Sequence, residues 1–326
     1  MKKIIFIIIT CTIFIKANTQ SLLGVTGKKD TSFSNYNAYI STLKTFPQIK
    51  LTAELNSSAI KEKKNISFFK WGKRKMLLDV FYPKKNIKIK RTAILIIHGG
   101  GWRSGNRTQH YPLAQRLSNL GYVCFTPEYR LSTEALYPAA IFDIKSAIRW
   151  VRKNAWKYNI DTNRIAVLGF SAGGELAAFM GATNGNLAFE GITGPLKYSS
   201  KVNAVVDIDG ILSFIHPESG EGDDRKKTSA ATYWFGFSKK ENPVIWMEAS
   251  SLTHVGKNSP PTLFVNSSIE RMHAGREDYI KILSANNIYS EVKTFENSPH
   301  PFCLFDPWIE PTIKLIDDFL KNTIRK

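Results

Sequence analysis

Gly169-Phe170-Ser171-Ala172-Gly173 follows the apolar run Ile165-Ala166-Val167-Leu168 and opens a small-residue stretch, Gly174-Glu175-Leu176-Ala177-Ala178. The apolar run reads as a buried strand and the small residues after it as the start of a helix. A serine at such a junction sits on a sharp strand-to-helix turn. The strained backbone there exposes its hydroxyl, and glycines two residues to either side let neighbouring chain approach without a Cβ. This is the pattern of a nucleophile elbow, with Ser171 as candidate nucleophile. Alone it is weak, because glycine and serine are common residues.

A second, rarer motif precedes it. His98-Gly99-Gly100-Gly101-Trp102 ends the run Ala93-Ile94-Leu95-Ile96-Ile97. Successive glycines leave backbone N–H groups unshielded, and such groups can donate to a developing oxyanion. Gly100, Gly101 and Ala172, the residue after the serine, are the candidate donors. His98 is expected to hold this loop in shape by hydrogen bonding rather than to move protons. With Trp102 beside it, it belongs to the candidate substrate-binding side of the site.

A serine hydroxyl needs a base. Where an elbow caps a sheet, the chain order is serine, acid, histidine. Residues 289–295 alternate as a last strand, and the following loop, Asn297-Ser298-Pro299-His300-Pro301, supplies His300 as the candidate base. His254 and His273 also follow Ser171 but not a last strand, while His110 and His216 have no constellation around them. For the acid, Glu270 lies just beyond the strand Thr262-Leu263-Phe264-Val265-Asn266. Asp278 at the start of the next helix is a rival, as is Asp209 after Ala204-Val205-Val206-Asp207-Ile208.

Together with Glu128-Tyr129-Arg130-Leu131-Ser132, Tyr137-Pro138-Ala139-Ala140 and Asn159-Ile160-Asp161-Thr162-Asn163-Arg164-Ile165, these motifs resemble the esterase branch of the α/β-hydrolase superfamily. Within it the chain is similar to bacterial bifunctional feruloyl and acetyl esterases acting on pectin and xylan, over about residues 65 to 320. That family commonly has an aspartate where this chain has Glu270. The resemblance implies hydrolysis of acetyl, feruloyl or methyl esters on plant cell-wall polysaccharide through an acyl-enzyme. An arylformamidase-like amidase and a non-catalytic carbohydrate-binding homologue are the alternatives.

The periodicity predicts an α/β-hydrolase fold: a mostly parallel, eight-stranded sheet flanked by helices. Strands are expected as a hairpin over 65–71 and 75–82, then over 92–97, 122–126, 164–168, 204–208, 262–266 and 289–295. Between 213 and 253 the alternation fails, and an aromatic stretch, Tyr233-Trp234-Phe235-Gly236-Phe237, predicts a small cap inserted after the sixth strand. Aromatic faces suit sugar stacking, although packing the cap's own core is their commoner use.

Composition bounds the remainder. At 326 residues and 43% hydrophobic, the chain can bury one large core. Lys2 and Lys3 before an apolar run from Ile4 to Ile15 predict a secretory signal peptide over 1–20 and hence export to the periplasm or beyond, with no stable membrane insertion after cleavage. A polar, extended or partly ordered arm is expected over 21–60, and one catalytic domain over 61–326. Cys124 and Cys303 read as buried free thiols. No spacing suits a metal or a phosphate loop, so no cofactor is expected. The net charge of +18 favours polyanions such as acidic polysaccharide, although the lysines are scattered along the chain and no nucleic-acid module is present.

Overall fold

The computed structural model describes residues 20–324 apart from Asn86, so the leader expected over 1–20 lies, but for Gln20, outside the described residues. Among the described residues, ten strands and eight α-helices follow one another. The strands are β1 (Lys50–Leu51), β2 (Ile60–Trp71), β3 (Arg74–Pro83), β4 (Arg91–Ile97), β5 (Val123–Pro127), β6 (Ile160–Phe170), β7 (Ala204–Ile208), β8 (Thr262–Asn266), β9 (Ser290–Thr294) and β10 (Phe305–Asp306). The helices are α1 (Asn35–Leu43), α2 (Tyr111–Asn119), α3 (Ala139–Lys153), α4 (Ala172–Ala182), α5 (Ala230–Phe235), α6 (Pro243–Glu248), α7 (Arg276–Ala285) and α8 (Ile309–Thr323).

Eight strands form one sheet in the order β2-β3-β5-β4-β6-β7-β8-β9. β2, β3 and β5 pair antiparallel and the others parallel. Parallel strands covered on both faces read as unbroken apolar runs, which is why Ala93–Ile97 shows no alternation. Its side chains nonetheless divide between the faces. Ala93, Leu95 and Ile97 join the core beneath α3 and α4, whereas Ile94 and Ile96 join the core beneath α2 and α8. On α3, Ile141, Ile144, Ala147, Ile148 and Val151 are all buried, as the helical spacing predicts.

Register places the functional loops together. Ile97 is level with Gly169, Gly169 with Asp207, and Ile208 with Val265. The chain therefore leaves four neighbouring strands at one edge of the sheet, carrying the residues after Ile97, Phe170, Ile208 and Asn266.

One expectation needs amending. The polar arm is fastened along its length: Ser21 N–H donates to Gly236 O (2.6 Å), Thr26 and Gly27 donate to Thr133 O (both 2.9 Å), and Lys29 bonds Glu128 (2.6 Å). It also contains α1, capped by the Ser34 hydroxyl, and β1, which pairs with β10. The inserted segment 213–253 holds α5 and α6, and its aromatics Trp234, Phe235 and Trp246 are fully buried. They pack on one another and on Phe214, and through Trp102 and Tyr137 they join the core beneath α3 and α4. Cys124 and Cys303 are free and buried. No helix among the described residues is long and apolar enough to cross a membrane.

Candidate active site

Ser171 sits between β6 and α4 with φ 58° and ψ −123°, a positive-φ conformation that is strained for a residue with a Cβ. Three features hold it there. Its N–H donates to Ile208 O (2.8 Å), and its carbonyl accepts the first helical bond of α4 from Glu175 N–H (3.0 Å). Below it the packing admits only glycine: a Cβ on Gly173 would lie 2.2 Å from Ile97 O and 2.7 Å from His98 O. The strain is thus fixed by the sheet and by the end of β4.

His300 lies in the loop after β9, with its ring against Phe170 (centroids 4.8 Å apart). Its Nε2 is 2.9 Å from Ser171 Oγ, and its Nδ1 is 2.9 Å from Asp209 Oδ2. Because a carboxylate oxygen accepts, the Nδ1–H donates to Asp209, which leaves the Nε2 lone pair to accept the serine proton. Asp209 is fully buried. It follows β7 at φ 51°, its N–H donates to Val265 O (3.0 Å), and its Oδ1 accepts from Ser267 N–H (2.7 Å). The carboxylate is held at both oxygens.

The His98-Gly99-Gly100-Gly101 loop curls over the same edge. Gly100 and Gly101 have φ of 120° and 59°, and Trp102 follows at 57°. The loop is anchored by Gly99 N–H to Gln109 Oε1 (2.7 Å), Arg103 and Ser104 N–H to Gly100 O (3.2 and 3.0 Å), and Ser132 N–H to Trp102 O (2.8 Å). A Cβ on Gly99 would come within 3.1 Å of Ser171 Cβ, so the loop abuts the serine. Among the described residues, the N–H groups of Gly100, Gly101 and Ala172 have no hydrogen-bond acceptor. They are available to an oxyanion on a carbonyl attacked by Ser171.

The BD-FAE family model matches residues 78–272. The chain belongs to the BD-FAE family. Esterase LipC of Mycobacterium tuberculosis is 30% identical over 68% of this chain and 53% of its own length. The chain spans about half the length of the first curated relatives it matches. Among solved structures, a truncated carbohydrate esterase from gut microbiota is similar at 25% identity, covering 83% of this chain and 100% of that one with a TM-score of 0.68. Thermogutta terrifontis esterase 2, at 22% identity and a TM-score of 0.65 over 82% of this chain and 96% of its own, shares the fold.

In this BD-FAE chain the carboxylate on His300 is Asp209, and neither Glu270 nor Asp278 reaches it. Glu270 is exposed at the start of a 3-10 turn. Asp278 is half-exposed on α7, bonded to Lys281 (2.8 Å) and facing His216 Nε2 (3.5 Å). The reason is local: after β8 the chain turns its Ser267 N–H toward Asp209 instead of presenting a carboxylate of its own. Asp207-Ile208-Asp209-Gly210 at a strand end was the signal available in the sequence.

Trp102 and His98 are both buried, and neither presents a face to substrate as their assignment to the substrate-binding side implied, although His98 does hold the loop by hydrogen bonding as expected. Trp102 is 4% exposed, stacked parallel on Trp234 at 5.1 Å and tilted on Phe214 at 5.2 Å. His98 stacks on Tyr129 at 4.4 Å and donates its Nδ1–H to Gly99 O (2.9 Å). Burial pushes its imidazole down to about 4, so it is neutral near pH 7 and serves the loop as a donor.

Sequence reasoning passed over Glu175. It is fully buried in the first turn of α4, its Oε2 accepting from Trp102 Nε1 (3.0 Å). Its Oε1 has no partner among the described residues. Burial, opposed by the Trp102 bond and assisted by the nearby Asp207, raises its carboxyl well above the ordinary range. Asp207 is raised likewise, chiefly by burial. The first of these carboxyls ties the glycine loop to the helix of the serine. A charge inside the small-residue run Gly174-Glu175-Leu176 was the available clue. No group of three or more His, Cys, Asp or Glu among the described residues is placed to hold a metal ion.

Proposed function

We infer that this chain is an exported serine esterase that removes acetyl, feruloyl or methyl ester groups from plant cell-wall polysaccharide. The observation carrying the chemistry is the hydrogen-bonded line Ser171 Oγ, His300, Asp209, with both bonds at 2.9 Å, beside three unclaimed N–H groups. Ser171 Oγ attacks the ester carbonyl carbon as its proton passes to His300 Nε2. Asp209 keeps the tautomer and stabilises the imidazolium. The carbonyl oxygen becomes an oxyanion received by Gly100, Gly101 and Ala172 N–H, each such donor contributing roughly 3–4 kcal/mol to the transition state. The alcohol departs with the proton from His300. Water, deprotonated by the same nitrogen, then attacks the acyl-serine and releases the acid.

The carbohydrate esterase among the structural neighbours supports a polysaccharide substrate. Lys2-Lys3 and the apolar run behind them support export. The test is release of acetate, ferulate or methanol from acetylated xylan and native pectin by the mature protein, with Ser171→Ala as control. One product that disappears in the control supports the reading. Equal release by both proteins, or none from either polymer, overturns it.

A further inference from the structure

Lysines that look scattered along the sequence are gathered by the fold. The segment between β3 and β4 carries Lys84, Lys85, Lys88 and Lys90, all exposed. It is fixed to the chain before β6: Arg91 N–H donates to Asn159 O (2.7 Å), and Asn159 Nδ2 donates to Ile87 O (2.7 Å) and Ile89 O (3.1 Å). Beside Asn159 stand Lys153 and Lys157, both exposed. From the other side, β2 enters next to the end of β3, with Lys61 opposite Tyr82 and Lys63 opposite Val80. Lys63 Nζ lies about 6 Å from the Tyr82 and Tyr158 rings, which joins β2 to the segment before β6.

These three segments contain one carboxylate, Glu62, and the start of β6 adds Asp161, each already engaged. Glu62 pairs with Lys64 (3.2 Å) and Asp161 with Arg164 (3.1 Å). The cationic face is therefore largely uncompensated. Within it, Trp156 is 78% exposed, with Lys157 Nζ 5.5 Å from its ring. The face lies at the ends of the sheet away from Ser171. β4 begins in it at Arg91 and finishes at the glycine loop after Ile97, a span of roughly 23 Å at about 3.3 Å per residue.

We propose that this basic end of the sheet is a docking face for an anionic polysaccharide, a chain of uronate sugars, separate from the ester-cleaving site. Charge complementarity is the first argument. Clustered lysines reinforce one another within a screening length of about 8 Å. The second is the kind of cation. The face uses lysine, a mobile point charge suited to spaced carboxylates, where phosphate recognition favours the bidentate fork of arginine. The third is Trp156, whose exposed ring offers an apolar plane to a sugar among the charges. A polymer held here is tethered rather than positioned for attack, which raises the local concentration of its ester groups at the other end of the sheet. The choice of polymer rests on the polysaccharide-esterase reading, but binding is assayed independently of catalysis.

The assay is electrophoretic retardation of the mature Ser171→Ala protein in gels containing polygalacturonate, neutral arabinoxylan or no polymer. The test variant adds Lys84→Glu, Lys85→Glu, Lys88→Glu and Lys90→Glu. A control carries the same charge change at Lys44, Lys50, Lys281 and Lys293. In the Ser171 background, hydrolysis of p-nitrophenyl acetate reports folding. The expected result is retardation by polygalacturonate alone, weakened at least tenfold in the test variant, weakened little in the control, lost in high salt, with small-ester hydrolysis unchanged. Equal loss in test and control variants would show a net-charge effect and overturn the face. Retardation of the parent by duplex DNA, or its binding to phosphatidylglycerol vesicles, as strong as that by polygalacturonate would overturn the ligand. Failure of polysaccharide deacylation with retardation intact would instead fault the esterase reading.

Discussion

Replacing Glu175 by glutamine should make the protein more stable, increasingly so as the pH rises. The wild-type carboxyl is fully buried, has one bond, from Trp102 Nε1, and leaves Oε1 without a partner among the described residues. Burial, the Trp102 bond and the Asp207 charge together give a net upward shift, so the folded protein keeps a proton that the unfolded chain releases near pH 4.3. The stabilisation from that proton is full below the unfolded value and is lost as pH climbs toward the raised folded one. Between the two, unfolding releases one proton, and stability falls by up to ~1.4 kcal/mol per pH unit. Glutamine offers Trp102 the same acceptor and has no proton to lose. The variant's advantage should therefore widen from about pH 5 upward, at roughly 3 °C of Tm per unit for a domain of this size, until the pH reaches the raised folded value. Thermal unfolding of both proteins at a series of pH values above about 5 measures the difference, in which the groups they share largely cancel. A gap that stays flat with pH would refute the assignment of a protonated Glu175.

Asp209→Asn should lower kcat for a simple ester by about four orders of magnitude, the loss expected when the histidine takes the wrong tautomer. Glu270→Gln and Asp278→Asn should each stay within about twofold, and steady-state kinetics on p-nitrophenyl acetate separate the three. Trp102→Ala should act on stability, costing about 3–5 kcal/mol by denaturant unfolding, because the indole is packed between Trp234 and Phe214. Gly173→Ala forces a Cβ to 2.2 Å from Ile97 O, and the α4 start must move. Activity should fall at least tenfold in whatever protein remains soluble.

Much of this was legible in the chain because the signals were local. Apolar runs marked the central strands, and the glycines that follow the runs ending at Ile97 and Leu168 marked the two turns where backbone must approach backbone. Ser171 and His300 followed from those turns and from strand order, and the structure brings them to 2.9 Å. The acid was harder, since a carboxylate's partner is set by where loops fold back. Asp209 and Ser267 are 58 residues apart and their bond leaves no trace in local spacing. Trp102 misled for a related reason: adjacency to the glycine loop in sequence suggested a place at the site, while the stacked Trp234 that buries it arrives from the cap. The arm's polar composition likewise reflects a surface course and hides its bonds to Thr133, Gly236 and Glu128.

The central claim is that Ser171, activated by His300 and Asp209, is the nucleophile. Its most direct test is the rate and site of modification by a fluorophosphonate, followed by intact mass and peptide mapping of the wild type, Asp209→Asn and Glu270→Gln. One adduct on Ser171, formed at similar rates in the wild type and Glu270→Gln but orders of magnitude more slowly in Asp209→Asn, is the predicted result. An adduct on another residue, or undiminished labelling of Asp209→Asn, would contradict it.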